Sequence, residues 1–345
     1  MKVDIFTRQQ MARVYELSLG NPMFLFNTLW GNARGQKVVT ADVKIAVDKV
    51  NKERYLAGYT EHHEPARIIS KADYDTDEYQ PPFINESVPF NYTHASKRPA
   101  GVTPFGTHGE NVGVNELARN ALELRNRLMR SVEFQCSQAL LTGGYTLGNR
   151  TFDFGMKATH KKDLTKKWTD DASDPFADLD AAIALNEEES GTPNNLVIMS
   201  VSAWQTFRNN KKVKEIMGDA SNTKWISSGN LSSPNYNPAM NASFKGVLEL
   251  TEASVEVWVY GGRYFDGTET KRYITDDWLW VGSRNARFDQ YYTGFFDAEL
   301  MDMVQAEYMI DQLKLTNPDQ IVTRLRSCPL MVPIEIDSYS VLKVK

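Results

Sequence analysis

Residues 115–142, NELARNALELRNRLMRSVEFQCSQALLT, carry the strongest secondary-structure pattern in the chain. Apolar residues recur along it at steps of three and four, which is the spacing of one helix face. They are Leu117, Ala121, Leu124, Leu128, Val132, Cys136 and Ala139. Gly143 and Gly144 end the predicted helix. At about 1.5 Å per residue the helix extends roughly 40 Å, so it needs a long surface, such as a sheet, to pack against.

Upstream of this helix the sequence predicts a short helix and then an apolar segment without an evident partner. Residues 1–18 show helical apolar spacing, and residues 20–22 (GNP) break that helix. The apolar patch 23–30 (MFLFNTLW) follows, without a period that selects one secondary structure. We expect this patch to act as an arm that another surface must cover.

A long β-hairpin is predicted between the arm and the helix. Val43, Ile45 and Val47 alternate with polar residues, which is the pattern of a half-buried strand. A polar stretch follows and closes at residues 81–84 (PPFI). Because loops of this length are uncommon inside compact domains, we expect the hairpin to project and to dock on a neighbouring subunit.

Strands and helices alternate after the long helix, which indicates an α+β fold without an internal repeat. Asp174 and Pro175 begin a helix that ends at Gly191, and Ser202 is predicted to cap the next helix. The remaining predicted elements are strands at 196–199, 255–259, 278–281 and 287–296, an alternating strand at 338–344, a polar loop at 218–241 and a hairpin turn at 266–267.

Composition limits the class of protein. Hydrophobic residues make up 41% and charged residues 24% of the chain, so we expect it to fold rather than to be disordered. Its apolar runs fall short of the roughly 18 residues of a bilayer span, and residues 1–10 lack a signal-peptide core. Cys136 and Cys328 are interpreted as buried thiols in a reducing cytoplasm. The net charge of -5 argues against a surface that grips nucleic acid.

Candidate metal sites fail on spacing. His62 and His63 point to opposite faces if they lie on a strand, and Glu64 adds no motif of metal ligands. Residues 73–78 (DYDTDE) begin like a calcium loop but carry Glu78 where that loop needs a glycine. We therefore predict no metal, no cofactor and no catalytic residue.

Other clusters are interpreted as structural. Three glycines before the long helix match no phosphate-binding motif, and three further histidines lack a nucleophile motif. Aromatic pairs at 291–292 and 295–296 lie beside Asp289 and Asp297, which favours packing over base stacking. Lysines 161, 162, 166 and 167 are interpreted as a solvated face. The glycines and histidines are Gly106, Gly109, Gly113, His94, His108 and His160.

The order of these segments resembles the major head proteins of phage lambda and its relatives, which have the Hong Kong 97-type (HK97-like) capsid fold. The resemblance includes the arm 22–25 (PMFL), the strand 43–48 (VKIAVD) and the long helix, which takes the place of the family's spine helix. At 292–294 (YTG) one inserted residue departs from the family's pattern. The C-terminal segments that resemble the family are Tyr264, 266–267 (DG), 273–276 (YITD), 280–282 (WVG), 317–319 (NPD) and 327–333 (SCPLMVP).

The resemblance implies an α+β subunit with four parts. These are an N-terminal arm (1–36), an extended loop (37–92), a peripheral domain (93–150 and 297–330, with the spine helix at 115–142) and an axial domain (151–296 and 331–345).

The resemblance also implies an assembling protein that is not an enzyme. Family members form homo-pentamers and homo-hexamers, which build an icosahedral head around double-stranded DNA without sequence-specific binding and without a membrane. A scaffolding protein, a portal and a decoration protein are the implied partners, in the host cytoplasm during assembly and in the virion afterwards. Contacts between subunits are expected at Phe24, Phe26, Trp30, Val43, Ile45, Val47, Lys71, Phe83 and Ile84.

Two alternative functions stay open at this point. A bacterial encapsulin nanocompartment has the same fold, so only the family-specific segments argue against it. A metal-dependent hydrolase built on His62, His63 and Glu64 belongs to a different class, and stoichiometric bound zinc would support it.

Overall fold

The computed structural model describes residues 23–32, 34–50, 59, 62, 74–90, 112–148, 150–218, 225–226, 236–237, 241–298, 300–317 and 319–345. Several predicted features lie outside these residues. They are the helix at 1–18, most of the loops at 59–73 and 218–241, and the residues Lys71, His63, Glu64, His94, His108, Gly106 and Gly109.

The long predicted helix is confirmed as α1 (Val112–Thr142), which has 31 residues. Each of the seven apolar residues predicted for its buried face is buried. The helix ends before Gly143, which has a φ of +70°. A Cβ at this position would lie 2.2 Å from Cβ of Met156, so both the backbone and the packing require glycine at the exit.

Three shorter helices follow in the chain, namely α2 (Pro175–Ser190), α3 (Val201–Asn209) and α4 (Lys211–Gly218). The predicted ends of α2 are confirmed. The Asp174 side chain accepts a hydrogen bond from the Ala177 amide, and Gly191 ends the helix in the left-handed conformation.

The predicted N-terminal cap of α3, Ser202, is wrong by two residues. Ser200 is the cap, because the chain is still extended at this residue and its hydroxyl accepts a hydrogen bond from the Ala203 amide at 3.0 Å. Ser202 lies inside the first turn. Both serines precede Trp204 and Phe207, so only the end of the preceding strand distinguishes them as caps.

The strands, in chain order, are β1 (Lys37–Thr40), β2 (Ile45–Val50), β3 (Tyr74–Tyr79), β4 (Ile84–Phe90), β5 (Gly144–Leu147), β6 (Arg150–Asp153), β7 (Lys161–Asp163), β8 (Leu196–Met199), β9 (Trp225–Ile226), β10 (Tyr236–Asn237), β11 (Ala242–Glu249), β12 (Ser254–Tyr260), β13 (Arg263–Phe265), β14 (Thr270–Arg272), β15 (Trp278–Gly282), β16 (Phe288–Thr293), β17 (Phe295–Asp297), β18 (Asp302–Val304), β19 (Met309–Thr316), β20 (Asp319–Ser327), β21 (Pro329–Pro333) and β22 (Ser340–Lys343). Together with the helices they confirm the α+β class.

The largest sheet has the order β10-β11-β12-β8-β15-β22-β7, and β9 pairs with β11. Its central strands are buried on both faces, and successive residues enter two different apolar clusters. In β8, Leu196 and Ile198 join the cluster that contains α1, whereas Val197 and Met199 join the cluster formed with α2 and α3. The sheet is therefore the middle layer between helices on both sides.

The strand predicted at the C-terminus, 338–344, is confirmed as β22 (Ser340–Lys343). Val341 joins the cluster that contains α1, and Leu342 joins the cluster formed with α2 and α3, so both faces of the strand are covered. The first residue of the predicted strand, Ser338, belongs instead to a 3₁₀ turn, Ile336–Ser338.

Helix α1 packs against two smaller sheets, β19-β20-β4 and β1-β16-β21. These sheets supply the long surface that the length of the helix predicted. The predicted strand at 287–296 is broken into β16 and β17 at Gly294. Among the described helices, none is both long enough and apolar enough to cross a membrane.

The predicted hairpin begins as an antiparallel pair of β2 and β3, with Ile45 opposite Tyr79 and Val50 opposite Tyr74. Val43 precedes β2 and is exposed, so the predicted strand starts later than its apolar alternation indicates. The residues after Pro82 form β4, which pairs with β20 rather than extending the hairpin.

Candidate assembly surface

Eight of the nine residues predicted for subunit contacts are described by the structure, and they fall into three groups by exposure. Phe24, Trp30, Ile45 and Val47 are buried within the chain, and Phe26 and Ile84 are partly buried. Val43 and Phe83 expose 52% and 51% of their surface, and Lys71 lies outside the described residues. The four buried side chains are not accessible on the surface of the single chain. A role in contacts between subunits stays a prediction for all nine residues.

The arm at 23–30 is covered by its own chain, which corrects the expectation that it needs another surface. Its second half is a single helical turn, Phe26–Trp30. The Trp30 ring packs on Phe288 with 4.8 Å between centroids, and the Phe24 ring lies 5.2 Å from Tyr260. The sequence did not predict this turn, because its apolar residues contact both a helix and a sheet and therefore have no single period.

Glu133, on the buried side of α1, anchors the arm. Its carboxylate accepts hydrogen bonds from the amides of Leu25 at 2.9 Å and Phe26 at 3.1 Å, and from the Tyr260 hydroxyl at 2.9 Å. Burial raises the pKa of Glu133 to about 7, and these three donors oppose the rise because they stabilise the charged form. One carboxylate therefore joins the arm, the spine helix and the large sheet.

A cleft of about 1760 Å³ opens on the surface between α1, the β13–β14 hairpin and the 80–84 segment. It collects exposed apolar side chains from distant parts of the sequence. Phe83, Phe265 and Phe296 line it with 51%, 66% and 57% of their surfaces exposed. Val43 and Met303 also line the cleft.

The rim and floor of the cleft are held in place by arginines. One Nη of Arg150 donates hydrogen bonds to the carbonyls of Gln80 at 3.1 Å and Pro81 at 3.0 Å, which fixes the segment that carries Phe83. The Phe83 ring lies 6.1 Å from the Phe295 ring. The guanidinium of Arg326 lies 5.0 Å from the centre of the same Phe295 ring.

Arg326 is itself part of a buried ionic network beneath the cleft. Its Nη2 lies 2.9 Å from Asp297 and 2.6 Å from Asp311, and Asp311 also pairs with Arg324. A buried guanidinium between two carboxylates is expensive to disturb, because removing it takes one counter-charge from each of two buried acids. The floor is therefore a rigid support for the exposed rings.

The hairpin wall is equally well defined. The turn predicted at Asp266-Gly267 is confirmed, and Asp266 pairs with Lys271 at 2.6 Å. Hydrogen bonds from the backbone amide of Glu269, together with the Lys271 ammonium, lower the pKa of Asp266 below its usual range. At the base of the hairpin, the Tyr264 ring packs on Phe134 of α1 with 5.1 Å between centroids.

The cleft has an excess of positive charge. Four arginines contribute to its lining, whereas Glu86 and Asp266 are its carboxylates. One of the arginines, Arg127, lies 3.5 Å from Glu86. The four are Arg127, Arg130, Arg150 and Arg263. Aromatic side chains, Met and Arg are the residues enriched at protein–protein interfaces, so the lining fits a surface that another protein covers.

Sequence reasoning missed the exposed residues Phe265, Phe296, Leu300 and Met301. The pairs 291–292 and 295–296 were all interpreted as packing, which is confirmed for Tyr291, Tyr292 and Phe295 but wrong for Phe296. The available signal was alternation, since β17 exposes its middle residue only. Neither Cys136 nor Cys328 forms a disulfide, and both are buried as predicted.

Comparison with known proteins gives the family. The family model described as phage major capsid protein E matches residues 8–344. The major capsid protein of Enterobacteria phage P21 is 24% identical over 318 residues, covering 88% of this chain and 89% of its own length. The major capsid protein of Escherichia phage lambda is 27% identical over 220 residues, covering 60% and 61% of the two chains.

Solved structures confirm the HK97-like fold. A putative capsid protein of a prophage of Escherichia coli CFT073 superimposes with a TM-score of 0.68 at 17% identity, covering 99% of this chain and 100% of that chain. A phage-related protein from Bordetella bronchiseptica gives a TM-score of 0.55 at 13% identity, covering 99% and 98%.

The family match separates the functions that the sequence left open. The match favours a phage capsid protein over an encapsulin or a hydrolase, because it extends over nearly the whole chain and describes a structural protein of the capsid. Capsid proteins of this kind assemble into multimeric shells. The chain therefore belongs to the phage major capsid protein E family, and it is a non-enzymatic component of the virion that forms the phage head.

Proposed function

We propose that the chain assembles into homo-pentamers and homo-hexamers of an icosahedral head, and that a neighbouring copy covers the arginine-lined cleft. The observation that carries this proposal is the cluster of Phe83, Phe265 and Phe296, which are exposed in one chain although each is large and apolar. Burying about 100 Å² of apolar surface contributes roughly 2.5 kcal/mol, so three such rings form a substantial contact.

The extended loop (37–92) of the neighbour is the proposed occupant. Charge complementarity supports this choice, because β3 carries Asp75, Asp77 and Glu78 whereas the cleft has an excess of arginine. The loop's flanking strands β2 and β3 pair with each other as an antiparallel hairpin.

The proposed subunit has the four parts implied by the capsid fold. The arm (1–36) and the extended loop (37–92) flank a peripheral domain of 93–150 and 297–330. The axial domain, 151–296 and 331–345, corresponds to the region around the large sheet. The packing of α1 against β20 supports the grouping of the two peripheral segments, because one element comes from each of them.

The proposed partners are a scaffolding protein, a portal and a decoration protein, with double-stranded DNA enclosed in the shell. The net charge of -5 supports enclosure without sequence-specific binding, since a polyanion is held only weakly by an acidic container. The host cytoplasm is the proposed place of assembly.

The test is a double substitution, Phe83→Ser with Phe296→Ser, in the full chain. We expect the subunit to fold, because both side chains are largely exposed, and we expect shells to be lost or much reduced in electron micrographs. Leu315→Ser is the matched control, since Leu315 is an exposed apolar residue outside the cleft lining. Normal shells from the double variant would contradict the proposed contact.

A further inference from the structure

Three side chains capable of binding a metal meet beside the large sheet, far from the motif at 62–64 in the sequence. His160 precedes β7, Glu189 lies in the last turn of α2, and Asp337 lies in the 3₁₀ turn before β22. One ligand atom from each lies within 4.8 Å of the others. No segment contains two of them, so the spacing of ligands in the sequence could not reveal the cluster.

The surroundings of His160 fix which ring nitrogen carries a proton. The ring is fully buried, and Nδ1 lies 2.9 Å from the Tyr339 carbonyl and 3.2 Å from Oδ1 of Asn186. The Asn186 amide is oriented because its Nδ2 donates to Asn194 and to the Val281 carbonyl. Since Nδ1 faces the Tyr339 carbonyl, it is the donor there, and in that tautomer the lone pair of the ring lies on Nε2.

This lone pair faces two carboxylates. Nε2 lies 3.2 Å from Oε2 of Glu189 and 3.9 Å from Oδ1 of Asp337. Within the described part of the chain, neither Nε2 nor Oδ1 of Asp337 has a hydrogen-bond partner, although both atoms are buried. A cation placed between these three atoms interacts favourably with all of them, as the Lys157 ammonium already does with the two carboxylates.

One distance in the cluster already matches the spacing of ligand atoms around a small transition-metal ion. Ligand atoms that bind tetrahedral zinc at about 2.0–2.1 Å lie roughly 3.3 Å from one another. The separation of 3.2 Å between Nε2 and Glu189 fits this value, and Asp337 needs only a small movement. A histidine whose Nδ1 donates to a backbone carbonyl is also the usual arrangement around a zinc ligand.

Lys157 would compete with a metal ion for the two carboxylates. Its ammonium lies 2.5 Å from Glu189 and 3.2 Å from Oδ2 of Asp337. The side chain is 53% exposed, so it can turn into solvent and leave the two carboxylates. A metal ion therefore has to replace a weakly held cation rather than enter a neutral cavity.

We propose that His160, Glu189 and Asp337 form a binding site for a divalent transition metal of the zinc class. The site is structural, because it joins β7, α2 and the turn that leads into the C-terminal strand β22. It adds a metal-dependent brace to the region around the large sheet and is independent of the cleft.

The experiment uses the full chain, stripped with EDTA and then titrated with zinc chloride. We expect about one zinc per chain by elemental analysis after dialysis, and a higher Tm in zinc than in EDTA. Asp337→Asn and Glu189→Gln should each weaken zinc binding at least about tenfold. Both positions are partly exposed, so these variants should fold, which circular dichroism in EDTA checks.

Two further variants make the test specific. Lys157→Met should bind zinc several-fold more tightly, because the competing ammonium is gone. A His62→Ala and His63→Ala double variant should bind zinc like the wild type. Wild-type binding by Asp337→Asn, no tightening in Lys157→Met, or loss of zinc in the His62/His63 variant would each overturn the site.

Discussion

The arm at 23–30 and the cleft both contain large apolar residues, but these residues differ in burial. Trp30 and Phe24 are buried in one chain, whereas Phe265 and Phe296 remain largely exposed. The difference lies in the polar groups around them. A buried carboxylate, Glu133, satisfies the arm's amides and lets it enter the core, while the cleft rings lie on a hairpin and a strand end without such a cover.

This comparison separates stability from assembly. Substitutions in the arm should change the free energy of unfolding of the isolated subunit, because its contacts are internal. Substitutions of the exposed rings in the cleft should leave that free energy nearly unchanged and act on assembly.

Trp30→Ala should have the largest effect on stability. The ring is buried against Phe288, and removing a buried tryptophan costs about 3–5 kcal/mol in the free energy of unfolding. Urea denaturation of the unassembled subunit measures it. A loss below about 1 kcal/mol, with assembly abolished, would show that Trp30 acts between subunits instead.

Glu133 should make the arm's stability depend on pH. Its pKa is raised from the unfolded value near 4.5 to about 7, so the folded state binds the proton more readily than the unfolded state does. Its contribution is fully present below about pH 4.5 and is lost as the pH rises through 7. The full range corresponds to about 3 kcal/mol at 1.36 kcal/mol per pKa unit.

The matched control for this effect is Glu133→Gln, which cannot ionise. The difference in unfolding free energy between the wild type and this variant should fall as the pH rises from 4.5 to above 7, since other groups titrate equally in both. A difference that stays constant over this range contradicts the proposed titration of Glu133.

Arg150→Met should have a smaller effect on stability and a clear effect on assembly. The substitution removes two hydrogen bonds to the Gln80 and Pro81 carbonyls, which is expected to cost about 1–2 kcal/mol and to release the segment with Phe83. Denaturation and shell yield are both measured. Arg263→Met, which also lines the cleft, is the control and should leave unfolding nearly unchanged.

Phe265→Ser should have the smallest effect on the subunit. The ring is 66% exposed on the hairpin, so the free energy of unfolding should change by less than about 0.5 kcal/mol. Shell yield should nevertheless fall if a neighbour covers the ring. A loss of several kcal/mol in the isolated subunit would mean that the hairpin itself depends on this side chain.

Helices and strands whose apolar residues have one clear period or one clear boundary could be predicted from the sequence alone. Helix α1 kept its predicted buried face and its end at Gly143, and α2 kept both of its predicted ends. The order of the C-terminal segments also sufficed to indicate the capsid fold. Local spacing and capping are properties of neighbouring residues, so they can be identified without knowledge of distant contacts.

Tertiary contacts determine which apolar residues are covered within the chain and which stay exposed, where another subunit can cover them. These contacts bury Trp30 on Phe288, and they join Phe83, Phe265 and Phe296 in one cleft. They also bring His160, Glu189 and Asp337 together, and they bury both faces of β22. These outcomes depend on contacts between residues far apart in the chain, and hydrophobicity favours burial without specifying the surface that provides it.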